Sequence, residues 1–147
     1  MNNESMRLEM ENCVRLVIGS YSDIIMAREH GRRIGKDIGF PVTDLTRIAT
    51  GISEIARNIV IYAESGEMFI QVVESDERHG IEIKAHDNGP GISDITLAMS
   101  DGYSTGNRRG LGLPGTRRLM DEFKLESANG RGTTVIMRKW LLKSHVI

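Results

Sequence analysis

Hydrophobic residues recur along the chain with two different periods, and each change of period marks an element boundary. Residues 12–19, NCVRLVIG, are short and β-branched, as a strand requires. From Ser22 the apolar residues Ile25, Met26, Ile34 and Ile38 fall into a loose helical pattern, opened by Ser22 or Asp23 as a cap. Gly39-Phe40-Pro41 breaks it. The clearest periodicity follows between Thr43 and Ala63, where Leu45, Ile48, Ile52, Ile55 and Ile59 step by three or four and form a single stripe on a helix. MFIQVVES and GIEIKAHD then read as two strands of an antiparallel hairpin joined across residues 76–80. A short helix is expected near Asp94 to Met99, followed by the polar loop DGYSTGNRRG. Pro114 sits in the first turn of a helix written PGTRRLMDEF. KLESA, a turn at Asn129-Gly130 and GTTVIMRKWL predict a closing hairpin.

Helices segregated from runs of strands imply an α+β two-layer sandwich, a mostly antiparallel sheet covered on one face by about three helices. At 147 residues, with no repeat and no linker, the chain is expected to be a single domain. Its 16 glycines are unevenly spread, and seven of them fall between Gly89 and Gly115. They gather where a site would be.

Composition narrows the chemistry. A formal net charge of −1 gives no general attraction for nucleic acid, and the arginine pairs at 32/33, 108/109 and 117/118 read first as solvated surface. No apolar run reaches the roughly 20 residues of a membrane helix, and the N-terminus lacks the pattern of a signal peptide, so a soluble cytoplasmic protein is expected. The lone Cys13 lies in an apolar stretch and reads as a buried structural thiol. His30, His79, His86 and His145 have no metal-ligand spacing, so no zinc site is expected.

Three motifs carry candidate chemistry. Glu54 and Asn58, four residues apart on the long helix, share a face roughly 100° from the isoleucine stripe. A carboxylate and an amide so placed suit a proton acceptor and a magnesium ligand, or an ordinary solvated helix face. Asp87 ends a strand and runs into Asn-Gly-Pro-Gly, where its carboxylate could accept from an exocyclic amine while Gly89 and Gly91 let the backbone turn tightly, as in any strand-to-helix turn. GLGLPG, residues 110–115, offers backbone N–H groups to phosphate oxygens just ahead of a helix. It is not a Walker A sequence, and it lies too late in the chain for a dinucleotide fold.

Taken in order, E-x-x-x-N, D-x-G-x-G, G-x-G-x-x-G and Gly132-Thr133, between residues 45 and 137, resemble the nucleotide-binding boxes of the GHKL ATPase superfamily. The resemblance implies that Asp87 holds the adenine amino group, with Gly89, Gly91 and Ile92 shaping the adenine pocket and Thr133 supporting it. It implies ATP with Mg²⁺ as its cofactor, Asn58 as the metal ligand, residues 100–113 as an ATP lid, and Gly110, Leu111, Gly112 and Leu113 on the phosphates. SEIARNIVIYA, DNGPGI, the short lid and RLMDEFKLES resemble the small free-standing kinases of the RsbT type, from Val14 to Trp140; residues 1–12 lie outside and are expected to be flexible. That branch implies a serine/threonine kinase acting on STAS-domain partners, RsbS-like and RsbR-like, with Glu54 as general base. It further implies activation of an RsbU-like phosphatase once the kinase is released, and a homodimer is possible on the same grounds. An ATP-gated anti-sigma factor, with kinase activity toward an anti-anti-sigma factor, and an ATPase without a protein acceptor are the alternatives. Arg108, Arg109, Arg117 and Arg118 are candidates for meeting acidic partner surfaces.

Overall fold

The computed structural model describes residues 13–91, 112–128 and 130–143. Their elements run β1 (Cys13–Ile18), α1 (Tyr21–Ile38), α2 (Val42–Asn58) with a terminal π turn (Ile59–Ala63), β2 (Gly66–Glu74), β3 (Arg78–Asp87), α3 (Leu113–Leu119), β4 (Glu122–Ser127) and β5 (Thr133–Leu142). The five strands form one fully antiparallel sheet in the order β1-β2-β3-β5-β4. The expected α+β two-layer architecture is therefore what the chain adopts. The short helix expected near residues 94–99 lies outside the described residues.

The alternation along each strand separates two faces. Ile18, Met68, Ile70, Ile81, Ile83, Ala85, Val135 and Met137 face the helices and are buried. The other face is mixed, with Val17, Phe69, Val73, Ile136 and Trp140 among charged side chains that pair across strands. Glu82 accepts from Gln71 Nε2 and from Arg138 Nε, both at 2.7 Å, and Arg15 reaches Glu67 across β1 and β2. The stripe of α2 is confirmed in full, since Leu45, Ile48, Ile52, Ile55 and Ile59 are all buried. Removing each such side chain from water contributes about 1.5–3 kcal/mol.

The buried face of α1 differs from the expectation. Ile25 and Met26 are exposed, and the face turned inward is Ile24, Ala27, Gly31, Ile34 and Gly35. Two glycines there are notches: a Cβ at Gly31 would collide with Ile52 Cδ1, and one at Gly35 would lie 2.9 Å from Leu45 Cδ2. Side chains of α2 fill the space that α1 leaves empty. The cap of α1 lies two residues before Ser22, the earlier of the two expected caps. Ser20 is the N-cap, and the Asp23 carboxylate accepts from Gly19 N at 2.9 Å, Ser20 N at 3.0 Å and Ser20 Oγ at 3.0 Å. Those bonds hold the Asp23 carboxyl below its ordinary range.

Two further expectations are corrected. Cys13 is exposed, because it begins an edge strand and its side chain lies on the open face. The helix expected over PGTRRLMDEF ends at Leu119, and Glu122–Ser127 extend as a strand. Pairing with β5 overrides the helical reading, and Asp121 makes the turn by donating its N–H to Arg138 O at 3.0 Å and accepting from Trp140 N at 2.7 Å.

Replacing Gly31 by valine fills the notch that Ile52 occupies and is expected to destabilise the fold by about 1–3 kcal/mol in urea unfolding. Asp23→Asn is expected to lower stability at neutral pH. Because the folded carboxyl is more acidic than the unfolded one, the difference from wild type shrinks as pH falls below the ordinary carboxylate range and the wild-type group protonates. A gap in melting temperature that persists unchanged in acid would contradict this.

Candidate active site

Asp87 is the last residue of the central strand, flanked in register by Gly66 of β2 and Thr133 of β5. Its Oδ1 accepts from Gly89 N at 2.9 Å, an Asx turn that swings the chain off the sheet. Three segments then meet almost backbone to backbone. A Cβ at Gly89 would lie 2.6 Å from Ala63 Cβ, one at Gly91 would collide with the Ala128 carbonyl, and one at Gly132 would collide with the carbonyl of Asp87 itself. Gly91 and Gly132 also have φ of 77° and 76°, so glycine is required there twice over. Gly130 N donates to Pro90 O at 2.6 Å, and Thr133 Oγ1 lies 2.9 Å from Ser127 Oγ. The expected tight turn is present, and the chain's own packing is what demands its glycines.

Glu54 lies at the other end. A Cβ on Gly112 would stand 2.5 Å from Glu54 Oε2, so the carboxylate rests directly against the glycine that precedes α3. Gly112 has φ of 71°, and its carbonyl accepts from Thr116 N at 2.9 Å and Thr116 Oγ1 at 2.8 Å. Glu54 Oε1 accepts from Arg57 at 2.9 Å, and a third of the Glu54 side chain is exposed. The fold thus brings together motifs 58 residues apart in sequence.

Helix α2 joins the two ends. Asn58, half-buried, is its last α-helical residue, and the π turn carries the chain on to Ala63, which touches Gly89. From Glu54 to Ala63 is roughly 13 Å at the α-helical rise. Glu64 then takes φ 69°, ψ −48°, the only described non-glycine residue with positive φ, while Ser65 N donates to Ala63 O at 2.8 Å. This γ-turn of the strained hand is what lets Gly66 enter the sheet beside Asp87.

Of the sequence-predicted site residues, Glu54, Asn58, Asp87, Gly89, Gly91, Gly112, Leu113 and Thr133 are described. Ile92, Gly110 and Leu111 lie outside the described residues, as do most of the expected lid and the pair Arg108/Arg109. Leu113 is fully buried and packs into the core, so its side chain serves the scaffold. Ala63 and Gly66 were not singled out in the sequence. A Cβ at Gly66 would lie 2.6 Å from His86 O, and a glycine opening a strand was the only available signal.

The histidine kinase-like ATPase domain pattern matches residues 23–139. The chain belongs to that family. Within the family it is 47% identical over 131 residues to the serine/threonine-protein kinase RsbT of Bacillus subtilis, covering 89% of this chain and 97% of RsbT. It is 33% identical over 109 residues to an anti-sigma F factor of Halalkalibacterium halodurans, covering 71% and 75% of the two chains. Among solved structures, a mycobacterial sensor histidine kinase, MprB, superposes with a TM-score of 0.53 at 14% identity, covering 87% of this chain and 95% of its own. A chain of the SiaB–SiaC complex from Pseudomonas aeruginosa gives 0.53 at 12%, covering 96% and 99%. These two share the family fold.

Gly132→Ala meets both a positive φ and a carbonyl oxygen, and is expected to cost more than about 1 kcal/mol. Denaturant unfolding of the purified variant checks this.

Proposed function

We propose that this member of the RsbT kinase group transfers the γ-phosphoryl group of ATP to serine or threonine in STAS-domain partners of the RsbS and RsbR kind, in the cytoplasm. The observation that carries the reading is α2 with its π turn, which runs from the Glu54–Gly112 contact to the Ala63–Gly89 contact and so matches an extended nucleotide end to end. Adenine belongs at Asp87. The bond from Gly89 N to Oδ1 fixes the plane of that carboxylate for the exocyclic amine. Gly89 and Gly91 would line the ring and Thr133 would support it from β5, with Ile92 added on the family resemblance alone. The phosphates belong at the Gly112 end, where the family resemblance assigns them to the amides of residues 110–113.

Among the described residues no group of three or more His, Cys, Asp or Glu could hold a metal. Magnesium is commonly held by one or two protein oxygens together with substrate phosphates and water. Asn58 would supply that oxygen, and the bound ion would neutralise phosphate charge. The reaction then breaks the bond between the γ-phosphorus and its bridging oxygen and forms one to the acceptor hydroxyl. Glu54 takes the hydroxyl proton, and ADP leaves. Arg57 holds Oε1, which aims Oε2 toward Gly112. Positioning of the hydroxyl is the larger part of the role of Glu54, given its nearness to the metal ligand.

The similarity to RsbT supports a second step, in which the kinase released from phosphorylated partners binds and activates an RsbU-like phosphatase. The similarity to anti-sigma F factors supports a second reading, an ATP-gated binder of a sigma factor.

Labelled ATP, Mg²⁺ and an RsbS-type STAS protein separate these readings. Label is expected on the STAS protein, reduced by roughly 10²–10⁴ in Glu54→Gln. Asp87→Asn is expected to weaken ATP binding at least about tenfold, the effect of losing roughly 1.4 kcal/mol. Wild-type rates in Glu54→Gln would remove it as the base. ATP binding without label on the STAS protein would favour the sigma-binding reading.

A further inference from the structure

Lys139 is a charged residue in an apolar row. Along β5 the side chains facing the helices are Val135, Met137 and then Lys139, which is only 8% exposed. Its Nζ donates to Leu119 O, the last carbonyl of α3, at 3.1 Å. Two acids flank it, Asp44 Oδ1 in the first turn of α2 and Asp121 Oδ1 ahead of β4, each at 3.9 Å. One ammonium group is therefore hydrogen-bonded to the end of α3 and within ion-pair range of α2 and of the turn before β4, where Asp44 Oδ1 also accepts from Arg47 at 2.9 Å. Burying a charge is costly unless it is paired and hydrogen-bonded, and an apolar side chain of similar length would fill the same space. Packing alone does not account for a lysine here.

The neighbouring contacts show what the tie controls. Met120, the residue after α3, fills a notch in α2 left by Gly51, where a Cβ would lie 2.6 Å from Met120 Cε. Gly51, Glu54 and Asn58 fall on one face of α2 at intervals of three and four. The far end of α3 is thus fastened one turn before Glu54, while its near end, Gly112, rests on the Glu54 carboxylate. Helix α3 has seven residues, a strut of roughly 10 Å, so a displacement at Leu119 reaches Gly112.

We propose that Lys139 is a positioning residue for Glu54, acting through α3 to hold Gly112 against the carboxylate. In its kinetic arm the proposal rests on the kinase reading. Lys139→Met keeps the length and removes the charge. It is expected to lower kcat for phosphoryl transfer about tenfold while KM for ATP stays within about twofold, and Lys139→Arg is expected to restore most of the loss. Val72→Ala, a partly buried position on β2, serves as a stability control and is expected to keep kcat well below its unfolding temperature. In hydrogen exchange, Lys139→Met is expected to speed the amides of residues 112–119 and 51–58 and leave the β2–β3 hairpin unchanged. An unchanged kcat in an active enzyme, or unchanged exchange at 112–119, would overturn the proposal. The exchange arm needs no phosphoryl transfer. A wild-type protein that transfers nothing would refute the kinase reading, and exchange alone would then decide whether Lys139 controls the Gly112 contact.

Discussion

Burial of the isoleucine stripe of α2 sets the rotation of that helix about its axis, and the functional geometry depends on that angle. With Ile48, Ile52, Ile55 and Ile59 held between the sheet and α1, Glu54 and Asn58 have only one direction in which to point. Rotating the helix enough to move Glu54 away from Gly112 would lift isoleucines out of the core, at about 1.5–3 kcal/mol each. The notches in α1 sharpen the setting, because Ile52 seats in Gly31 and Leu45 in Gly35. The Glu54 carboxylate is thus held in place by apolar contacts on an adjoining face of its own helix.

The sheet supplies the second coordinate. In an antiparallel ladder a shift of one residue turns every side chain to the other face, so the apolar alternation of β2, β3 and β5 excludes odd shifts from the observed register. That register ends with Gly66, Asp87 and Thr133 abreast. The paired charges of the open face, Glu82 with Arg138 above all, favour the same register over even shifts, which alternation alone would allow. Two independent packing problems, one helical and one in the sheet, thus converge on the two ends of one span of roughly 13 Å.

Much of this was legible in the sequence, and the exceptions have physical causes. The stripe of α2, the hairpin of β2 and β3, and the order of the motifs all follow from local period and turn chemistry. Helix α1 was blurred because its inward face uses Gly31 and Gly35, which a hydrophobic pattern counts as gaps. RLMDEF has helical composition, but strand pairing with β5 decides its second half, and a long-range partner leaves no local trace. Cys13 looked buried by its neighbours; its place at the start of an edge strand puts it in solvent. For the site, residue types and spacing pointed to Glu54, Asn58 and Asp87. The contacts of Glu54 with Gly112 and of Ala63 with Gly89 are tertiary, and no spacing rule contains them.

The glycines of the site differ in what stands opposite them. At Gly91 and Gly132 the obstacle is a carbonyl of the main chain, while at Gly31, Gly51 and Gly112 it is the end of a flexible side chain: Ile52, Met120 or Glu54. A side chain can shorten when its neighbour grows, but a carbonyl cannot. In the helical half, positions 31 and 52, or 51 and 120, can therefore drift as compensating pairs over evolutionary time. Around Asp87 no second substitution repairs the first, and that turn is inherited whole or lost.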